Sequence, residues 1–108
     1  QVMINIINNS IQEIASKNNR WIKLIVQDIG NDIFINFIDS GDKISEVVER
    51  KLFQPFFTTK DVGVGTGLGL SISKSIIEEH EGTLFYDRSA DHTTFVMKLP
   101  KFNASDLT

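Results

Sequence analysis

Several groups of residues in this 108-residue chain are of types, and at spacings, that do chemistry. Asn5, Asn9 and Gln12 recur at i, i+4 and i+7, which places three side-chain amides on one face of a helix. Asn is a mediocre helix former, so the row calls for a reason. A solvated helix face is one. The other is a ligand: an amide taken out of water must find partners, and a phosphate or a hydrated cation supplies them. Amide oxygen suits Mg²⁺, a hard ion that keeps waters and substrate phosphates in its shell. Asp39 closes a strongly apolar run and precedes Ser40-Gly41. It reads either as a turn starter or as an acceptor for an exocyclic amine such as that of adenine. Gly41 would then let the backbone approach a flat ring.

Gly63, Gly65, Gly67 and Gly69 alternate and run directly into a helical pattern. A glycine-rich stretch exposes backbone N–H groups, and a helix N-terminus adds partial positive charge. Gly65, Thr66, Gly67, Leu68 and Gly69 therefore form a candidate phosphate cradle, against the plainer reading of a flexible hinge. The run is not a P-loop, because no Gly-Lys-Ser/Thr follows. It is not a dinucleotide fingerprint either, since the spacing differs and no strand precedes it. Lys60 lies just upstream, either an ordinary surface lysine or one that reaches a terminal phosphate. The aromatic cluster Phe53-Gln54-Pro55-Phe56-Phe57 would anchor one end of a loop whose glycine end opens and closes over a ligand.

Other patterns carry no weight. Asn8-Asn9-Ser10 and Asn103-Ala104-Ser105 match a glycosylation pattern that is frequent by chance. His80 and His92 are isolated and make no metal site. With no Cys, thiolate metal sites, a catalytic Cys and disulfides are excluded. A net charge of -3 argues against a nucleic-acid partner, which needs clustered Lys and Arg. No apolar run approaches the roughly 20 residues of a membrane span. No signal segment opens the chain. It starts at Gln1 rather than Met, and reads as a piece of a longer polypeptide.

These groups need elements to hold them. Ile4, Ile7, Ile11 and Ile14 predict a helix from Gln1 to about Lys17 with that stripe buried. Trp21 to Gln27 and Ile33 to Ile38 read as strands, the first with Ile22, Leu24 and Val26 on one side. A hairpin turn over Asp28 to Asp32 joins them. Ser45 caps a short helix to about Leu52, residues 55–67 form a loop, and a helix follows from Leu68 to Glu79. Leu68, Ile72 and Ile76 are its predicted stripe, and Gly82 its stop. Thr83 to Tyr86 and Thr93 to Leu99 form a final hairpin, ended by Pro100. The order predicts an α/β two-layer sandwich, with helices on one face of a mixed or mostly antiparallel sheet. Residues 1–102 make one domain, and 103–108 a flexible tail.

In order, these segments resemble the ATP-binding catalytic domain of bacterial two-component sensor histidine kinases, in the ATPase class of gyrase, the MutL proteins and the heat-shock chaperones. The asparagine box is residues 1–10, the first glycine box Asp39-Ser40-Gly41, the phenylalanine box Phe53 to Lys60 and the second glycine box Gly65 to Ser71. The short loop with Thr58-Thr59-Lys60 is most similar to the nitrogen-regulation type. The resemblance implies a Bergerat-type fold, ATP and Mg²⁺ as ligands, and strand sequence ahead of the asparagine box, so that an edge strand is expected to be missing here. It implies that Asn9 ligates Mg²⁺ and that Asn5 contacts phosphate, directly or through water. Gln12 stands where many relatives carry a phosphate-binding Lys. Asp39 would accept from the adenine amine and Gly41 would line the base pocket. Lys60 and the backbone from Gly65 through Gly69 would hold phosphates, and Thr93 would reach the adenine through a water.

One departure is Lys43, where the family's first glycine box ends in Gly. A positive φ there would strain a lysine by about 1–3 kcal/mol; the side chain would otherwise add a cation beside the nucleotide. Asn5 is informative too. The hydrolase branch carries Glu at that place, and a carboxylate takes a proton from attacking water where an amide cannot. The resemblance thus implies transfer of the γ-phosphate to a histidine on a separate dimerisation domain, then relay to a response regulator, in a cytoplasmic part of a homodimeric sensor. These 108 residues alone are expected to bind Mg-ATP without phosphorylating themselves. The alternatives are a serine kinase of the anti-sigma-factor type and a partner-binding module that has lost its nucleotide.

Overall fold

The computed structural model describes residues 1–57 and 69–101. Lys60, Gly65, Thr66, Gly67 and Leu68, most of the predicted loop and the tail 103–108 lie outside the described residues. The elements are helix α1 (Val2–Ile14), strands β1 (Ile22–Ile29) and β2 (Asp32–Asp39), helices α2 (Glu46–Glu49) and α3 (Gly69–Glu79), and strands β3 (Thr83–Tyr86) and β4 (Thr94–Pro100). The described strands form one antiparallel sheet in the order β1-β2-β4-β3. The helices lie on one of its faces, giving the expected two-layer α+β fold.

Strand alternation decides which side chains meet the helices. Ile33, Ile35, Phe37 and Asp39 share a face of β2, and the register sets Phe95 and Met97 of β4 beside them. Leu84 and Tyr86 of β3 continue that face. Against it pack Val2, Ile6, Leu52 and Ile77. Phe95 meets Phe53 and Tyr86 edge-on at 6.2 and 5.7 Å, an arrangement aromatic quadrupoles favour.

Three local expectations are corrected. In α1 the buried residues are Val2, Ile6, Ser10 and Ile14. Ile7 is only partly buried, and Ile4 and Ile11 are exposed. A row at i+4 faces the core, and the small Ser10 completes it. In α3 the buried row is Ser73 and Ile77, with Ile76 partly buried and Ile72 exposed. The β1–β2 turn is only Gly30-Asn31, shorter than predicted. Gly30 has φ 61° while Asn31 is not among the positive-φ residues, the pattern of a type II′ turn with Gly first.

The end of α3 shows what Gly82 is for. Gly82 N–H donates to the Ile77 carbonyl and Glu81 N–H to that of Glu78, a Schellman closure. The left-handed residue is Glu81, at φ 62°. Gly82 is needed for proximity instead. A Cβ there would run into the Lys98 carbonyl and the Ile77 and Leu99 side chains.

β1 is an edge strand. Its Leu24 and Val26 share the helix-side face with Phe37 and Ile35, yet the helices do not cover them, and Val26 is 65% exposed. Ile25 and Ile29 are exposed on the opposite face. A regular apolar edge is a template for strand addition. Val26→Lys is expected to change stability by less than about 0.5 kcal/mol. It is also expected to lower self-association of the concentrated chain, measured by sedimentation.

Candidate functional site: a buried carboxylate and an asparagine face

The first half of the site follows from register. Asp39 is two residues beyond Phe37, so it points to the buried side of the sheet, at its end. The pair Ile38–Thr94 is the last in the β2–β4 ladder. The next position sets Thr93 against Asp39, and Asp39 N–H donates to the Thr93 carbonyl at 3.0 Å. Asp39 is 1% exposed. Its Oδ1 accepts from Gly41 N–H at 2.8 Å. No described residue hydrogen-bonds Oδ2. Thr93 Oγ1 donates to the Asp42 carbonyl at 2.6 Å, and Thr93 N–H to that of Gly41 at 3.2 Å. With its proton committed to backbone, the Thr93 hydroxyl meets any water as an acceptor. Gly41 is required here: a Cβ would sit 2.7 Å from Asp39 Oδ1 and 3.0 Å from Thr93 Oγ1. Sequence proximity joins Asp39 to Gly41, but only the sheet adds Thr93.

The segment after Gly41 is pinned from below. Ile44 N–H donates to the buried Tyr86 hydroxyl at 2.9 Å. Ser45 caps α2 by accepting from Val48 N–H. Arg88 pairs with Glu46 at 2.8 Å and with Glu49, tying α2 to the β3–β4 connection. Lys43 sits between these anchors. Among the described residues, Phe56 and Glu81 are the non-glycine residues with positive φ. Lys43 therefore carries no left-handed strain, and the loop accepts it in an ordinary conformation.

The second half lies on α1. Asn5 and Asn9 are half-buried, whereas Gln12 is exposed. Asn5 Nδ2 donates to Ser73 Oγ on α3 at 3.4 Å, and its Oδ1 accepts from Gln1 Nε2 at 3.3 Å. Asn9 is likewise engaged. Two neutral amides on one helix face fit an ion that takes its remaining ligands from water and phosphate. Gly69 opens α3, and no described residue lies within 4 Å of a Cβ built on it.

Two features escaped the sequence reading. Ser73 meets Asn5 although 68 residues apart, and nothing in its helical pattern marks it. Tyr86 alternates correctly for a core strand, which hides its hydroxyl's role. Of the aromatic cluster, Phe53 packs on Phe95 and under the Lys74 ammonium, whereas Phe56 is exposed at φ 67°. The histidines are occupied elsewhere. His80 Nδ1 meets the Ile76 carbonyl at 2.8 Å. His92 meets Trp21 edge-on at 5.0 Å.

Comparison with known proteins bears on the family and the fold. Residues 1–103 match the family described as histidine kinase-, DNA gyrase B-, and HSP90-like ATPase. The C4-dicarboxylate transport sensor protein DctB of Rhizobium meliloti (strain 1021) is 34% identical over 94% of this chain and 16% of its own length. Sensor protein FixL of Bradyrhizobium diazoefficiens is 36% identical over 93% of this chain and 20% of its own. The chain thus spans a fifth or less of these relatives. The catalytic domain of histidine kinase ThkA superposes with a TM-score of 0.78 at 37% identity, over 94% of this chain and 65% of that one. ThkA has also been solved in complex with the response regulator protein TrrA, matching at a TM-score of 0.74 and 34% identity over 94% of this chain and 28% of that one. With a family match over residues 1–103 and a shared fold, the chain belongs to the histidine kinase-, DNA gyrase B- and HSP90-like ATPases, as an ATP-binding catalytic domain of the sensor histidine kinase type.

Proposed function

We propose that the chain binds Mg-ATP with the adenine amine on Asp39 and the phosphates between the asparagine face of α1 and the start of α3. In the full-length protein, a cytoplasmic homodimer, it passes the γ-phosphate to a histidine on a separate dimerisation domain, for relay to a response regulator. The observation that carries this reading is Asp39: a carboxylate 1% exposed at the end of an apolar face, with one oxygen tied to Gly41 N–H and the other without a hydrogen bond from any described residue. Burying such a group is costly unless a donor meets it, and an exocyclic amine is a donor of the right kind. Gly41 leaves room for the ring, and Thr93 offers an acceptor for a bridging water. Asn9 would hold Mg²⁺ through its amide oxygen, and the bound ion would neutralise phosphate charge. Lys60 and the backbone from Gly65 through Gly69 would close over the phosphates. Gln12, exposed and uncharged, adds reach without charge.

Asn5 offers no carboxylate to activate water, which favours transfer over hydrolysis. The chain's own histidines are poorly placed as acceptors. His80 follows the far end of α3 from Gly69, and an 11-residue helix is about 16 Å long. His92 is held against Trp21, facing the Gly41 carbonyl at 3.4 Å. Calorimetric titration of the chain with Mg-ATP tests the binding, and no heat at millimolar nucleotide overturns it. Acid-labile radiolabel on the chain incubated alone with labelled ATP would overturn the absence of self-phosphorylation.

A further inference from the structure

The connection from α1 to β1, the loop after β2 and the end of the β3–β4 connection enclose an open cavity of about 500 Å³, within the size range of small-molecule sites. Its walls include Lys17, Asn18, Trp21, Ser40, Asp42 and His92. Asn5, Asn9, Asp39, Gly41 and Thr93 are not wall residues, so the cavity is separate from the site described above. The loop after β2 divides by side: Asp39 and Gly41 belong to the carboxylate site, Ser40 and Asp42 to the cavity. Donors outnumber acceptors on these walls. The Trp21 indole N–H has no acceptor among the described residues. Ser40 Oγ accepts from Trp21 N–H at 3.2 Å, and its own proton goes to no described residue. Lys17 meets Asp42 at 3.5 Å, but the Asp42 side chain is 92% exposed. Such a pair is screened by water and weak, so an incoming acid can take over the ammonium. Residues 15–23 also carry Arg20 and Lys23 and no acid, in a chain of net charge -3. Neither cation is a wall residue: Arg20 donates to the Ala15 carbonyl, and Lys23 lies over the Trp21 ring. Trp21 and His92, edge-on at 5.0 Å, supply ring surface. We propose that this cavity is a second binding site, for a small carboxylate with a flat body. The acid group sits on Lys17 and the neutral donors, and the body lies against Trp21 and His92. One ammonium among neutral donors matches one negative charge. A phosphate dianion is better served by several cations and by the forked donors of Arg.

Trp21 is the chain's one tryptophan, so its indole N–H gives a single NMR signal from the cavity wall. The test titrates benzoate into the 108-residue chain at constant ionic strength and follows that signal. A saturable shift is expected, with half-saturation at roughly 1–10 mM for a ligand of this size. Lys17→Met is expected to weaken binding about tenfold or more, the loss of a hydrogen bond to a charged group. Benzamide, flat but neutral, and inorganic phosphate are expected to give no saturable shift over the same range. Absence of a saturable shift with benzoate overturns the site. Equal affinity in Lys17→Met, or equal affinity for benzamide, overturns the seat of the acid group on Lys17. The benzamide comparison needs no substitution, so it decides the point even if Lys17→Met loosens the fold. Saturation by phosphate overturns the ligand class. Excess Mg-ATP is expected to leave the benzoate titration in place, and displacement would put benzoate in the nucleotide site and overturn a separate cavity. The titration does not depend on the nucleotide reading, since a chain that bound no Mg-ATP would still show it.

Discussion

Asp39→Asn is expected to bind ATP roughly 10- to 150-fold more weakly than the parent chain, the value of a hydrogen bond to a charged group, while remaining folded. The replacement is close to isosteric, and its consequence follows from two oxygens with two tasks. Oδ1 accepts from Gly41 N–H at 2.8 Å. Oδ2 is the atom proposed to receive the adenine amine. If the Asn amide keeps its oxygen toward Gly41, its NH₂ faces the NH₂ of adenine, donor against donor. If the amide turns over, the base is satisfied but the Gly41 N–H loses its acceptor and the Gly41 loop loosens beside Thr93. Neither orientation is free. The first also predicts a change of preference, because a purine with a carbonyl in place of the amine would meet the new donor. Calorimetry with ATP and ITP on both proteins reads the two effects together. Equal ATP affinity in parent and variant would remove Asp39 from the base site.

Asn9→Ala is expected to lose the Mg²⁺-dependent part of ATP affinity by roughly 10- to 100-fold, the range that loss of even an outer partner of a bound metal produces. Mg²⁺-free binding should be unchanged. The fold should survive, since Ala is the better helix former by up to about 0.7 kcal/mol and Asn9 is only half-buried within α1. The intramolecular contact that Asn9 makes offsets part of that gain, so the thermal midpoint is the control. Equal affinity with and without Mg²⁺ in both proteins would refute the metal-binding role. On the proposed assignment the Asp39 and Asn9 variants touch the base and the phosphate ends. A double variant is expected to show nearly additive losses.

Much of this was legible in the amino-acid order, and the parts that were not share a cause. The hairpin signal at Gly30-Asn31 is local: one glycine at positive φ and two flanking strands suffice. The Asp39-to-Gly41 contact spans two residues, so composition and spacing expose it. The stripe of α1 was legible only in part, because Ile is abundant all around that helix. Periodicity cannot choose between the row Ile4-Ile7-Ile11 and the row Val2-Ile6-Ser10-Ile14. The facing sheet and α3 make that choice, and they select the row containing a serine. Gly82 looked like a helix stop, yet the left-handed turn falls on Glu81, and Gly82 is there to let β4 pass close. Lys43 looked like a strained substitution, and the backbone does not ask for positive φ there.

The sequence by itself determined the chemistry available: amides on one helix face, a carboxylate before a glycine and an anion-friendly glycine run. It also determined the alternation of helix and strand, because both hydrophobic periods are short-range properties of the chain. The tertiary structure alone decided who meets whom. Strand register brought Thr93 to Asp39 across 54 residues, and helix packing brought Ser73 to Asn5 across 68. Neither partner carries a local signal, because a Thr before a strand and a Ser within a helix are ordinary residues. They meet Asp39 and Asn5 only when hydrophobic burial sets the sheet against the helices.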